Sequence, residues 1–345
     1  MPALQLNQHD RVLVVAPHPD DESLGAGGLL QRAHRIGAAV RIVFATDGDN
    51  NPWPQRAAEK RWRIDETGRE RWGGKRRLEA IAALKALSVP YNCARFLGYA
   101  DQGLTAELTE GGKLFADLMT ETETFRPTMV IAPSLSDRHP DHNSLALLLT
   151  FMRRRIDANV RWFSYLLHGK APVTSAADLF ALELNDYEVE TKRCAVLCHE
   201  SQMILCRKRF LRMVGKRELF YQESPAGTQH SAFRICGKLL CIDTPFLNFA
   251  RARAIVLTRP EHAQVVKLCS RPGQSLDIRR LADGANDPHP PALPPEIWIK
   301  LNSPCWFADL TGWCRVEPAS QPFPSESCRG GEVVITAFDK HASMS

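Results

Sequence analysis

An apolar run, Val12 to Val15, leads directly into Ala16-Pro17-His18-Pro19-Asp20-Asp21-Glu22, so a strand delivers one imidazole and adjacent carboxylates to its C-terminal tip. A second cluster, Asp137-Arg138-His139-Pro140-Asp141-His142, follows another apolar run, Met129 to Ala132. Either cluster alone reads as a proline-rich turn with capping aspartates. Two of them, each after a buried-strand pattern, point elsewhere, because the strand ends of an open α/β sheet converge on one crevice where ligands bind.

The runs Val12 to Val15, Val40 to Phe44 and Met129 to Ala132 alternate with helical patterns. This alternation predicts an α/β fold, a Rossmann-like, mostly parallel sheet flanked by helices on both faces. Asp21 to Ile36 reads as a helix with an acidic start and Gly37 beyond its end. Lys75 to Leu87 places Leu78, Ile81, Ala82, Leu84 and Leu87 near helical spacing, and His142 to Ile156 carries Leu145, Leu148, Leu149 and Met152 on one stripe before the strand Val160 to Leu166. Near Ser224-Pro225-Ala226-Gly227 the pattern changes to short β-like runs: Phe233 to Ile242, Ala254 to Thr258, Val265 to Cys269 and Val333 to Phe338. The proline-rich Asp287 to Pro295 reads as an exposed loop, since proline removes the backbone donors that helix and central strand need. The division expected is residues 1–230 as one domain and 231–345 as a smaller, β-rich module.

Charge separates the function classes. With 44 Lys plus Arg against 39 Asp plus Glu, the net charge of +5 is too balanced to argue for nucleic acid. The basic stretch Lys60 to Arg77 reads as a solvated face or as a surface that meets an anionic group, which leaves contact with a membrane surface open. No uninterrupted apolar stretch has membrane-spanning length, and the first residues lack the basic and apolar regions of a signal peptide. Ten scattered cysteines without paired CxxC spacing suit reduced thiols, so the expected location is the cytoplasm. Gly25-Ala26-Gly27-Gly28 is not a dinucleotide fingerprint and follows acidic residues that would repel a pyrophosphate. Without a GxSxG elbow, a serine hydrolase is disfavoured.

What remains is metal chemistry. His18 and Asp21 lie three residues apart on a strand-to-helix turn, and His142 follows another strand end, so the three offer two imidazoles and a hard carboxylate to one cation. Three protein ligands leave a position open for water, the arrangement of hydrolytic zinc sites. Asp20 is then the candidate general base, Glu22 a support behind it, and His139 a donor to a developing oxyanion. Asp137 or Asp141 suits the orienting of a histidine through its second ring nitrogen. Cys194, Cys198 and His199 form a softer cluster, read as buried thiols on an apolar helix face.

These residues resemble the LmbE/PIG-L type of zinc-dependent N-deacetylases. The likeness rests on Ala16 to Glu22 and His139-Pro140-Asp141-His142, supported by Thr46-Asp47-Gly48, Arg76 with Glu79, Leu97 to Asp101, Lys192, Ala195, His199 to Gln202, and Glu218-Leu219-Phe220. It covers roughly residues 10 to 222; residues from about 231 onward match nothing in that family's core. The resemblance implies Zn2+ on His18, Asp21 and His142, Asp20 as base, His139 as electrostatic or acid partner, and Arg76 and Asp101 as substrate contacts. It implies a hydrolase acting on a small-molecule or glycoconjugate substrate with an N-acetylated amino sugar, such as an N-acetylglucosamine carbohydrate, and releasing acetate. A related amidase acting on another N-acyl or thiol conjugate is the second reading, and a non-catalytic glycan-binding α/β protein the third. Trp298, Trp306 and Trp313 fit either flat faces for sugar rings or a core.

Overall fold

Each predicted strand-then-helix pair appears in the computed structural model, which describes residues 1–109, 112–169, 177–222, 233–236, 239–242, 253–260, 262–267, 274–277, 297–302 and 312–316. In chain order the elements are β1 (Arg11–Ala16), α1 (Asp21–Arg35), β2 (Ala39–Thr46), α2 (Pro52–Glu59), α3 (Glu66–Ala86), β3 (Ala94–Tyr99), α4 (Leu104–Glu107), α5 (Lys113–Phe125), β4 (Met129–Pro133) and α6 (Pro140–Arg153). Then come β5 (Arg161–Tyr165), β6 (Leu179–Glu183), α7 (Asp186–Leu197), α8 (Glu200–Arg212) and β7 (Arg217–Tyr221). The chain divides into two compact units, one of Met1–Leu104, Ala116–Asp137 and Asp141–Ser224, the other of Thr105–Phe115, Arg138–Pro140 and Pro225–Ser345.

The first unit is built on a seven-stranded sheet in the order β3-β2-β1-β4-β5-β7-β6. The pairs from β3 through β5 are parallel, and β7 runs antiparallel to both β5 and β6. Val12 and Val14 of β1 join the core cluster with residues of α1, α3 and α7, while Leu13 and Val15, pointing the other way, are equally buried. Both faces of the sheet are covered, as continuous apolar strands require. The strand order turns between β1 and β4, the neighbours whose tips carry the two acidic histidine clusters. That reversal is where open α/β sheets bind their ligands.

Two departures from the sequence pattern concern helices. Helix α3 begins nine residues earlier than its apolar periodicity suggests, because Asp65 caps it by accepting from the Gly68 N–H. Its buried stripe also includes Arg76 and Glu79, whereas Leu78 is largely exposed. Helix α1 is kinked at Ala26 (φ −144°). The carboxylate of Glu218, arriving on β7, accepts from the freed N–H groups of Gly28 (2.6 Å) and Leu29 (2.9 Å), capping the second half of the helix from outside. Gly28 has to lack a side chain there, since a Cβ would meet Leu184 and Glu218.

Helix α7 starts with a capping box in which Asn185 and Glu188 exchange hydrogen bonds. Burial pushes the Glu188 carboxyl up, but hydrogen bonds from Arg32, the Asn185 backbone and Arg35 outweigh it and hold the group at about 2. A depressed carboxyl stabilises the fold above its unfolded value near 4.5 and loses that contribution as the pH falls toward 2. Glu188→Gln should therefore cost about 2 kcal/mol in urea unfolding above pH 5. The deficit should shrink steadily below pH 4.5; a pH-independent deficit would contradict this role.

The second unit contains β8 (Phe233–Cys236), β9 (Leu239–Ile242), β10 (Arg253–Arg259), β11 (His262–Lys267), β12 (Gln274–Asp277), β13 (Ile297–Asn302) and β14 (Cys314–Val316). They form an antiparallel four-stranded sheet, β11-β10-β13-β14, and a three-stranded sheet, β12-β9-β8. The run Phe233 to Ile242 is thus a pair of strands rather than one. Trp298 and Trp313 are fully buried, with the Lys300 ammonium 5.5 Å from the Trp313 ring centre, so both are core residues and not open platforms. Ser224 to Gly227, Asp287 to Pro295, Trp306 and Val333 to Phe338 lie outside the described residues. Among the described residues no helix is long and apolar enough to cross a membrane.

Candidate active site

Pro17 and Pro19 stiffen the turn after β1, and the chain enters α1 through Asp20 at φ +133°, a conformation that side chains rarely adopt. Such backbone costs about 1–3 kcal/mol and persists only where its surroundings enforce it. Glu22 Oε2 accepts from the Asp20 N–H (2.9 Å), and Arg76 Nη2 donates to Asp20 Oδ2 (2.9 Å) and to the Pro19 carbonyl (2.7 Å). Arg76 Nη1 donates to the Gly48 carbonyl (2.8 Å). Behind Glu22, His199 Nε2 lies 3.1 Å from Glu22 Oε1, and Ser23 Oγ donates to the same oxygen. Glu22 and His199 thus hold the turn from behind, and Cys194 and Cys198 take no part.

Asp21 lies at the centre. Its Oδ2 accepts from the His18 N–H (2.9 Å) and stands 3.1 Å from His18 Nδ1 and 3.2 Å from His142 Nε2. Each imidazole turns its other nitrogen to a carboxylate: His18 Nε2 is 3.1 Å from Asp101 and 3.2 Å from Asp141, and His142 Nδ1 is 3.1 Å from Asp137. Asp141 is fixed in turn by the N–H groups of Gln102 and Leu104. Asp137 accepts from the Leu167 and His168 N–H groups, and His168 Nδ1 lies 3.2 Å from its Oδ1. Hence the structure brings His18, Asp21 and His142 together, while the neighbouring Asp20 turns its carboxylate to Arg76. Asp137 and Asp141 both orient histidines. His139, half-buried and one residue ahead of α6, belongs to the other compact unit.

Arg76 and Asp101, expected from the sequence to contact substrate, are buried and turned to the chain's own Asp20 and His18. His168 is not among the residues that the sequence singles out. It lies three residues past the end of β5, on the same edge as His18 and His142, and the strand-end argument applied to β5 would have found it. Glu79, a partner of Arg76 in the sequence motif, instead caps α8 by accepting from the Ser201 N–H (2.9 Å) and hydroxyl (2.6 Å).

The electrostatics are set by crowding. Asp20, Asp21, Glu22, Asp101, Asp137 and Asp141 are all buried around His18, His142 and His199. Burial raises the Asp20 carboxyl, Arg76 opposes it, Asp21 adds to it, and the group stands at about 6. Burial lowers the His142 imidazole, but Asp21 and Asp137 override it and hold it at about 10. His18 is likewise raised by Asp101, Asp141 and Asp21 against its burial, and Asp21 is held low by His142 and His18 against its own. Buried carboxylate in such excess calls for a cation.

Asp21 is spaced for one from both imidazoles. Tetrahedral bonds of about 2.0 Å place ligand atoms about 3.3 Å apart, and Asp21 Oδ2 is 3.1 and 3.2 Å from the two imidazole nitrogens. The carboxylates on the far nitrogens are the partners that metal-binding histidines use to fix tautomer and orientation. His18, Asp101 and Asp141 have ligand atoms close enough together to hold a cation, as do Asp137, His142 and His168.

Gly48 tests the turn. It adopts φ +64°, and a Cβ there would run into the Arg76 guanidinium. Gly48→Ala should push Arg76 off Asp20 and lower kcat about 10²-fold, the usual consequence of a misplaced reacting group. A variant with parent-level kcat would show that Arg76 does not position Asp20.

Fold and site together define an α/β protein with a His-Asp-His donor set and a separate buried carboxylate at its sheet's switch point. Residues 13–151 match the family model PIG-L: GlcNAc-PI de-N-acetylase, and the chain carries a domain of this PIG-L (LmbE-like) deacetylase family. A 1D-myo-inositol 2-acetamido-2-deoxy-alpha-D-glucopyranoside deacetylase of Mycobacterium sp. (strain JLS) is 29% identical over 184 residues, 48% of this chain and 57% of the relative. The enzyme of the same name from strain KMS is 32% identical over 150 residues, 38% of this chain and 46% of the relative. The matched stretch spans about half the length of these relatives. Among solved structures, a conserved protein of Thermus thermophilus aligns with 63% of this chain and 95% of its own (TM-score 0.46, 25% identity). A triple mutant of a deacetylase from the teicoplanin biosynthetic pathway aligns over 61% and 96% (TM-score 0.49, 22% identity).

Proposed function

We propose that the protein hydrolyses the acetamide of an amino-sugar-containing substrate, releasing acetate and a free amine. The observation that carries this reading is the placing of a strained, buried Asp20 beside the His18, Asp21 and His142 donor set. The names of its relatives, deacetylases of a 2-acetamido-2-deoxyglucopyranoside, support the choice of acyl group and sugar. His18, Asp21 and His142 would hold Zn2+, which when bound polarises the acyl oxygen and makes water acidic enough to attack near neutrality.

The chain's own groups do the rest. Asp20 accepts a proton from the attacking water as the water oxygen bonds to the acetyl carbon, then returns it to the nitrogen as the C–N bond breaks. Its carboxyl near 6 suits both directions of that transfer. Arg76 and Glu22 fix the Asp20 turn; Asp101, Asp141 and Asp137 fix the two imidazoles. His139 is assigned, on its motif, to donate to the developing oxyanion. In this reading residues 1–230 are the deacetylase domain, 231–345 a β-rich module, and the location is cytoplasmic.

Acetate release by the zinc-loaded protein, measured across N-acetylglucosamine, nucleotide sugars, glycolipids and chitooligosaccharides, tests the proposal. Release above an Asp20→Asn blank is the expected result. Release from N-propionyl or thiol-conjugate amides with none from acetamides would overturn the acyl assignment.

A further inference from the structure

Helix α8 stands out by what it leaves in solvent. From Met203 to Lys216 the chain carries Arg207, Lys208, Arg209, Arg212 and Lys216 and no acid. Arg207, Lys208, Arg209 and Arg212 are exposed, and none of them forms an ion pair among the described residues, whereas Lys216 pairs with Asp186. Exposed with them on the same helix are Ile204 (43%) and Leu205 (57%). The inner side of the helix is satisfied without these residues: Phe210 is buried with Leu24 and Val196, and Met203 and Cys206 pack against them. Apolar side chains left among unpaired cations mark a surface that meets a partner.

Helix α2, which packs against α8, adds a second element of the same kind. It opens on Pro52-Trp53-Pro54 and ends at Lys60, whose left-handed backbone (φ +51°) turns the chain into the acid-free run Lys60-Arg61-Trp62-Arg63-Ile64. Trp53 is 49% exposed and Trp62 72%. The Arg56 guanidinium lies 5.1 Å from the Trp53 ring centre and 4.7 Å from that of Trp62, and the two indoles meet edge to face at 6.3 Å, so the pair is held in place at the surface. Lys60, Arg61 and Arg63 are exposed and also lack an ion pair among the described residues. Cations gathered in this way attract a polyanion. A nucleic acid would engage the cations and stack on the indoles, but it offers nothing to Ile204 and Leu205. An anionic bilayer satisfies all three kinds of group: its headgroups meet the cations, indoles rest at the interface, and aliphatic side chains reach the acyl boundary.

We propose that the exposed residues of α8, together with Trp53 and the Lys60 to Arg63 run, are a docking surface for an anionic phospholipid membrane. The inference is independent of the deacetylase reading, since none of these side chains belongs to the acid-imidazole centre.

Sedimentation of the full chain with vesicles of phosphatidylcholine and phosphatidylserine, mixed about two to one, tests it against vesicles of phosphatidylcholine alone. The mixed vesicles should bind the protein, shift its tryptophan emission to the blue and quench it when the acyl chains are brominated. Phosphatidylcholine alone should bind at least about 10-fold more weakly. Ile204→Ser combined with Leu205→Ser should weaken binding to the mixed vesicles about 10-fold, and Trp62→Ser about 5-fold. Lys208→Gln combined with Arg212→Gln should weaken it about 20-fold, because each cation near an anionic surface typically contributes about 5-fold. All these positions are exposed, so the urea midpoint should stay at the parent's and report an intact fold. No binding to the mixed vesicles, equal binding to both kinds, or binding that the serine pair and Trp62→Ser leave unchanged overturns the proposal. Tighter binding to duplex DNA than to the mixed vesicles, indifferent to the serine pair, overturns it as well and gives the surface to nucleic acid. Acetate release enters none of these readouts, so the membrane proposal and the proposed reaction fail separately.

Discussion

Asp20→Asn should reduce turnover by about 10²- to 10⁴-fold, the span typical of a lost general base, while the fold and the affinity for zinc stay near the parent's. The separation follows from the geometry. Asp20 Oδ2 is tied to Arg76, whereas the His18 and His142 nitrogens converge on Asp21 Oδ2. Asparagine has the shape of aspartate, and the turn at φ +133° is held by Glu22 on the residue-20 N–H and Arg76 on the Pro19 carbonyl, so it survives the exchange. Its side-chain carbonyl still accepts from Arg76, but the amide has no basic oxygen for a proton. The parent's kcat/KM should rise with pH as Asp20 ionises, with the acid limb at or below about 6 because a bound cation favours the ionised form. A variant with near-parent turnover would remove Asp20 from the mechanism.

Glu218→Ala should cost about 3–5 kcal/mol of stability, as when one member of a buried ion pair is removed. Glu218 and Lys192 are both buried, their charged atoms 2.6 Å apart, and Lys192 also donates to the Leu24 carbonyl (2.8 Å). Deleting the carboxylate leaves the ammonium buried without its partner and the Gly28 and Leu29 N–H groups uncapped at the kink of α1. The first turn of that helix carries Asp21 and Glu22, so the surviving folded protein should also bind zinc more weakly. Urea unfolding with an unchanged slope and a midpoint close to the parent's would contradict this account.

The strands that carry the chemistry were legible because parallel strands buried on both faces write continuous apolar runs, as Val12 to Val15 and Met129 to Ala132 do. Edge strand β3 is only half-buried and includes Gly98 at φ +74°, so it left no such run. The Asp20, Asp21, His18 and His142 set was legible from residue type at strand tips. Among the positioning groups, Glu22, Asp137 and Asp141 were legible beside it, but the roles of Arg76 and Glu79 were not. Arg76 and Glu79 sit on the buried stripe of α3, where apolar periodicity looks past charged residues, and their partners Asp20 and Ser201 are remote in sequence. Helix α1 looked continuous because its kink at Ala26 depends on the Glu218 carboxylate of β7, which lies 190 residues beyond the Gly28 N–H that it caps.

In the proposed reaction a cation held by His18, Asp21 and His142 works with Asp20 on an acetamide. Acetate release from the most reactive N-acetylated amino sugar, followed before chelation, after chelation and after stoichiometric Zn2+ is restored, tests it most directly. Activity should vanish with the metal and return with it in the parent, and stay at the blank throughout in Asp20→Asn. Release that persists in the fully metal-free protein, or that Asp20→Asn matches once zinc is restored, would contradict it.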